Sequence, residues 1–361
     1  MLIAAGAIVA TSGGTAYADT TCNPNIGHHC WERLNLQGKF IGDSVYPKSS
    51  CLVVTSPSAA AVTNETWMLN GSYWVEAGQA YGYPVGGRRY YYWADQRPGH
   101  SYSEHDDTSS STPSLGTGYL DYIDQASSTS YFAESGPWSG TSTGWASGYT
   151  FASLQTGTET FDDGEEVAER GESYNLAYFN TPSNAVHNGW TYGTNKPTKS
   201  PDPTDWGSIS TVSRYSAYDI NATSTCTLGA TATQHPATPK RLKTANVASF
   251  KREATADAGR RPYTAVWTAT TADAAENLLY GSFSTDRSAA GLDATEPVMV
   301  LAATGTRFTA RRAKAPVGSA LPTGTVLTEV IDLTTGLVRD WGVSDKDPGL
   351  ARLGVVNQLP Q

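Results

Sequence analysis

The sequence predicts a mainly β chain, an antiparallel β-sandwich followed by a small α+β domain, and three observations carry that expectation. Charged residues make up 16% of the 361 residues and aromatics 11%, with 35 Gly and 20 Tyr, a balance foreign to coiled coils and helix bundles. From Glu65 to Trp190, short aromatic and β-branched runs are broken repeatedly by Gly, Ser, Pro and Asn, and many alternate with period two. Composition then changes at Pro236. Before it lie 10 Lys+Arg and 22 Asp+Glu, a net of −12, and after it 15 and 12, a net of +3; 31 of the 38 aromatics precede it. With roughly 100–200 residues per domain, such a chain divides most simply into two.

Taken in order, residues 1–18 form an apolar run ending in Ala16-Tyr17-Ala18, with small residues placed for cleavage before Asp19. They read as a signal peptide, too short to span a bilayer of about 30 Å, so the mature chain is expected to be secreted and extracellular. Residues 19–228 are the expected sandwich. They hold Cys22, Cys30, Cys51 and Cys226, an even count in an exported chain, which implies two disulfides. Each of the three connectivities ties Cys226 to the first 51 residues. His28 and His29 beside Cys30 offer zinc as a rival, but C-x7-C-x20-C lacks the paired clips of a structural zinc site.

Expected strands include Tyr73–Ala77, Arg89–Trp93, Gly118–Ile123, Tyr149–Leu154 and Leu176–Phe179. Asp106–Ser114 and the Pro-rich Thr194–Asp205 are expected to lack regular structure. Residues 229–243, without aromatics and with a basic end, read as a linker. The module 244–361 is expected to hold one short helix, capped by Thr270 with Asp273 three residues on and ended by Gly281. Strands are expected at Pro297–Ala303 and Thr306–Arg312, and a hairpin at Thr325–Asp332 and Leu337–Gly342 around Thr335-Gly336. The overall net charge of −9 offers no clustered cations for nucleic acid or an anionic membrane, and no motif calls for a cofactor.

Chemistry is densest between Thr66 and His105. In Tyr73-Trp74-Val75-Glu76-Ala77, alternation puts Trp74 and Glu76 on one face and Tyr73, Val75 and Ala77 on the other. A carboxyl beside an indole on a concave face is suited to proton transfer; the plainer alternative is a solvated outward Glu. Trp74, Tyr92 and Trp93 are the candidate substrate-binding aromatics.

Trp74-Val75-Glu76-Ala77-Gly78-Gln79, followed some fifteen residues later by Tyr90-Tyr91-Tyr92-Trp93-Ala94-Asp95-Gln96-Arg97-Pro98-Gly99, resembles the strand pair of the neprosin and glutamic-peptidase group. These are secreted, concanavalin-like (jelly-roll) β-sandwich peptidases. The resemblance covers Trp67 to about Trp190. It implies that Glu76 is one catalytic carboxyl and that a second lies on a later Gly-x-Glu strand, at Glu159 or, in Gly164-Glu165-Glu166-Val167, at Glu166. Glu159 continues a β-like run, whereas Glu165 and Glu166 stand among like charges that suit a solvated loop. Two such carboxyls would share a proton, one activating water and the other supporting the oxyanion. A polypeptide substrate follows from that reading. A glycan is the alternative, taken either by glycoside hydrolysis with the same carboxyls or by a non-catalytic wall-binding surface of stacked aromatics among Tyr90–Trp93, Trp138, Trp145, Trp190 and Trp206.

His100, Glu104, His105 and Asp106 form a weaker metal candidate, expected in a Gly/Ser loop and without the helical register of paired histidines. The module beyond the linker offers no nucleophile or ligand cluster. It resembles an uncharacterised module of secreted actinobacterial proteins, and its Asp332–Gly336 hairpin resembles inhibitory or wall-associated PepSY-like domains. Its opposite net charge suggests an intramolecular contact with the sandwich.

Overall fold

A computed structural model describes residues 30–48, 53–54, 61–82, 88–108, 119–160, 166–167, 172–179, 198–201, 208–212, 216–220, 239–279, 295–313 and 320–359. Along the first half run β1 (Cys30–Phe40), β2 (Gly42–Lys48), β3 (Val53–Val54), β4 (Ala61–Asn70), β5 (Tyr73–Gly82), β6 (Arg88–Arg97), β7 (His100–Asp106) and β8 (Asp121–Ser127). There follow β9 (Ser130–Ser135), β10 (Trp138–Thr143), β11 (Phe151–Thr160), β12 (Glu166–Val167), β13 (Glu172–Phe179), β14 (Thr198–Pro201), β15 (Ser208–Val212) and β16 (Ser216–Ile220). The second half contributes α1 (Pro239–Asp257), β17 (Thr264–Thr271), α2 (Ala272–Leu279), β18 (Pro297–Thr309), β19 (Thr323–Asp332), β20 (Val338–Ser344) and β21 (Asn357–Gln358).

The chain is mainly β, and its described sheets are antiparallel, as the alternation and turn residues predict. Twelve strands form one sheet in the order β14-β1-β11-β4-β5-β6-β7-β20-β19-β18-β17-β21, and seven form a second in the order β10-β9-β8-β2-β13-β16-β15. The two stack through Met68, Val75, Ala77 and Trp93 of the large sheet and Ile123, Tyr131, Ala133 and Trp138 of the small one. Hydrogen bonds stitch the layers: Ser135 Oγ donates to the Gly78 carbonyl at 2.7 Å, and Trp138 Nε1 to the His105 carbonyl at 2.8 Å. Buried apolar side chains supply the bulk of the driving force, about 25 cal/mol per Å² removed from water.

The large sheet crosses the composition break. Tyr102, Ser103, Glu104 and His105 of β7 pair with Val343, Gly342, Trp341 and Asp340 of β20. His105 Nδ1 lies 2.6 Å from Asp340 Oδ1 at this junction, and the His105 ring stacks on Trp93 at 4.1 Å. In the second half the sheet is covered on both faces. Phe250 and Ala254 of α1 join a cluster with Leu301, Leu327 and Trp341, which also takes in Trp67, Trp74 and Tyr102 of the first half. Ala272 and Ala275 of α2 pack on Val298, Val300 and Val330, whose side chains point the other way.

Several local expectations change. Residues 239–243, read as linker, open α1; Pro239 is tolerated there because the first helical position needs no N–H partner. Thr198–Pro201, inside a stretch read as irregular, forms an edge strand, the part of a sheet where proline is tolerated. Pro297–Ala303 and Thr306–Arg312 are not two strands: residues 297–309 are one, interrupted by a register shift between Thr304 and Phe308 with Gly305 at φ 100°. The signal peptide, Cys22, Cys51 and Cys226 lie outside the described residues, as does the Cys30 side chain, and with them the expected disulfides and the zinc alternative.

One buried charge cluster ties α1 to β19. Arg312 bridges Glu253 at 2.8 Å and Glu329 at 2.7 Å, and its guanidinium lies 4.1 Å from the centre of the Trp341 ring. Burial pushes the Asp257 carboxyl up to about 7, with Arg312 pulling against it, and pushes Glu253 well above the ordinary carboxylate range. A carboxyl whose folded pKa is raised lends stability below its unfolded value, and that stability is lost as pH climbs through the folded value. Stability should therefore fall between about pH 4 and pH 7. The Asp257→Asn variant should show a flatter fall and a higher melting temperature at pH 7, readable by calorimetry across that range. An unchanged slope would remove Asp257 from the account.

Candidate functional site

The β4–β5 hairpin turns at Asn70-Gly71-Ser72, with Gly71 at φ 63°, a conformation that suits glycine. That turn sets Trp67 opposite Glu76 and Glu65 opposite Gly78. Directly paired residues share a face, and so do residues two apart on a strand. Glu65, Trp67, Trp74 and Glu76 therefore point the same way, while Met68, Val75 and Ala77 point into the sandwich. β6 adds Tyr92 opposite Gly78 and Ala94 opposite Glu76, and β7 adds Glu104 opposite Ala94.

The small residues in these rows make room for contacts across them. With only Gly78 between, the Tyr92 hydroxyl reaches across and donates to the Glu65 carboxylate. With only Ala94 between Glu76 and Glu104, the Tyr102 phenol stands between the two carboxyls. Its hydroxyl donates to Glu104 Oε2 at 2.7 Å and lies 3.4 Å from Glu76 Oε1, while Trp74 Nε1 donates to Glu76 Oε2 at 3.1 Å. The Tyr102 ring packs against Trp341 with centroids 5.1 Å apart, so the second half helps hold this phenol. Glu65, Glu76 and Glu104 are each 0% exposed. Burial, then the Glu65 and Glu76 charges, raise the Tyr92 phenol well above its ordinary value, so it stays a donor.

Glu76 is thus not a solvated outward residue; burial beside an indole is the arrangement found. Glu159 is buried on the same face, in register with Thr63 and Trp31. Thr63 faces Ala80, four residues beyond Glu76, so β4 and four residues of strand separate the two carboxyls. At about 4.8 Å per strand and 3.4 Å per residue, their Cα atoms stand roughly 16 Å apart on a flat sheet. The structure brings Glu76 together with Glu65 and Glu104, not with Glu159. Glu166 sits in the short β12–β3 ribbon, its side chain outside the described residues.

Of the three candidate substrate aromatics, Trp74 and Tyr92 share the carboxyl face. Trp93 faces inward, stacked on His105 between the sheets. Tyr90, Tyr92, Trp93, Trp138 and Trp145 are all buried, so they form no open stacking surface; Trp190 and Trp206 lie outside the described residues. The candidate metal cluster is on strand β7 rather than in a loop, and alternation sends His105 to the face opposite Glu104 and Asp106. Among the described residues no group of three or more His, Cys, Asp or Glu could hold a metal ion.

Sequence reasoning missed Glu65 and Tyr102, and placed Glu104 in another role. The signal for Glu65 was present: Glu65-x-Trp67 mirrors Trp74-x-Glu76 about the Gly71 turn. For Tyr102 and Glu104 the signal lay only in the lateral order of strands.

No protein-family model matches this chain, and no curated protein matches it. Among solved structures, it is similar to scytalido-glutamic peptidase bound to a transition-state analogue inhibitor, at 12% identity over 53% of this chain and 98% of that one, with a TM-score of 0.38. A second is SCP-B, a member of the eqolisin family of peptidases in complex with the tripeptide Ala-Ile-His, at 14% identity, 53% and 98% coverage and a TM-score of 0.35. A heptameric SAP-like pentraxin from Limulus polyphemus aligns at 8% identity over 55% and 92%, with a TM-score of 0.27. At these scores no residue role passes from them to this chain.

Proposed function

We infer that the chain is a carboxyl-dependent acid peptidase, secreted in its mature form, with Glu76 at the reacting centre. One observation carries the reading: a single phenol, Tyr102, stands between two buried carboxyls. A phenol has one proton to give, and here it goes to Glu104. The contact to Glu76 becomes a hydrogen bond when Glu76 itself is protonated and donates to the phenol oxygen. Glu76, Tyr102 and Glu104 then form a line along which one proton is shared, the state in which one carboxyl accepts a proton from water while the other supplies one. The Trp74 indole steadies the second Glu76 oxygen. Glu159, farther along the same face, lines the path of an extended polypeptide in this reading. A glycan-binding role would need open aromatic faces, and of the described candidates all but the half-buried Tyr91 are buried.

Denatured protein incubated with the chain at about pH 3–6, where carboxyls exchange protons, should yield new peptides. Glu76→Gln should cut that yield by about 10²-fold or more, the usual contribution of a proton-transferring side chain. Tyr102→Phe should keep part of the activity but alter its pH profile. If neither the wild type nor the loosened variants described below cleave anywhere in that range, the reading is lost.

A further inference from the structure

Three parts of the second half stand on or beside the carboxyl face. Helix α1 lies on the same side of the sheet as Glu76, through Phe250 and Ala254. Arg312 lies over Trp341, whose ring abuts Tyr102. Leu337, just before β20, packs on Ala80, Tyr90 and Tyr92 of the first half, and Asn246 of α1 holds the adjoining turn by donating to the Gly336 carbonyl at 2.7 Å. Glu65, Glu76, Glu104, Glu159 and Tyr92 all have zero exposure in this arrangement. A carboxyl with no exposed surface meets a peptide bond of another chain only in the moments when what covers it moves aside.

We propose that the second half is a built-in wall that keeps this acidic face closed, so that a polypeptide reaches Glu76 only when the Leu337 and Asn246 contacts give way. The proposal rests on the peptidase reading and concerns the regulation of that same site. The partner that the wall excludes is an extended polypeptide running across β4–β7. The wall's outer contacts are the ones to open first. Leu337 and Asn246 are only partly buried, whereas the β7–β20 ladder beneath them is fully so.

The test uses the full chain as wild type, as Leu337→Asp with Asn246→Ala, and as the milder Leu337→Ala should the charged variant fail to fold. None of these residues belongs to the carboxyl machinery. Native protein is treated with a carbodiimide and glycine ethyl ester, and modification at Glu76 and Glu104 is mapped by mass spectrometry, with Asp43 between the sheets as the internal reference. The wild type should be protected. A loosened wall should raise modification of Glu76 and Glu104 by about tenfold or more relative to Asp43, as a loss of about 1.4 kcal/mol in the closed contact implies. Digestion of denatured protein near pH 4 is measured alongside. If modification and digestion rise together, both readings stand. If modification rises without digestion at any pH, the wall stands and the peptidase reading falls. Equal modification in wild type and in whichever variant folds overturns the wall, whatever the digestion.

Discussion

Replacing Arg312 with leucine should destabilise the protein by about 3–5 kcal/mol at pH 7, the range expected when one partner of a buried ion cluster is removed. The guanidinium touches Glu253 and Glu329 directly and lies near Asp257. Burial opposes its charge, yet these three acids outweigh burial and push its pKa up. Without it, the carboxylates lose their closest cation, and the largely exposed Arg252, 3.7 Å from Glu253, compensates only in part. The loss should be smaller at pH 4. Burial raises the folded-state pKa of Glu253 and Asp257, so at that pH both are largely neutral and need less compensation. Denaturant melts at the two pH values measure the difference. Equal losses at both would mean that packing on Trp341, and not charge, is what Arg312 supplies.

The second large effect is expected at Gly342. A Cβ on this residue would sit 2.3 Å from the Tyr102 carbonyl oxygen, which is backbone and cannot rotate away. Gly342→Val should therefore spread β7 from β20 and cost about 3 kcal/mol or more. Gly71 offers the comparison. It needs a positive φ of 63°, but no atom lies within 4 Å of the point where a Cβ would stand, so Gly71→Ala should cost only about 1–2 kcal/mol. A Gly342→Val loss no larger than that of Gly71→Ala would show that the junction yields easily. Because β7 also carries Tyr102 and Glu104, the Gly342 variant should disturb the carboxyl site as well as the fold.

Much of the site's near side was legible in the sequence. Alternation alone placed Trp74 and Glu76 together, because a strand has only two faces. The residues that complete the site come from strands next to it in space, and no local pattern states which strand lies beside which. β7 illustrates the difficulty: His100-Ser101-Tyr102-Ser103-Glu104-His105-Asp106 looks polar enough for a surface loop, yet five of its seven residues are buried because sheet continues on either side. The implied pairing of Glu76 with Glu159 met a similar obstacle. Both face the same way, but register displaces them along the sheet, and register is fixed by turns and by strand order together. Helix α1 was missed because its opening Pro239 signals a break locally, while packing of Phe250 and Ala254 on the sheet decides the matter.

The position of β20 also bears on how the chain is made. His105 and Asp340 meet across 235 residues, so β7 is an open edge from the time it leaves the ribosome until the last strands of the second half are synthesised. For that interval its unpaired backbone is a template for any other nascent copy, the common route to edge-to-edge aggregation. Chaperone demand, and sensitivity of the yield to expression rate and temperature, should therefore track the delay between these two strands more closely than the stability of either half.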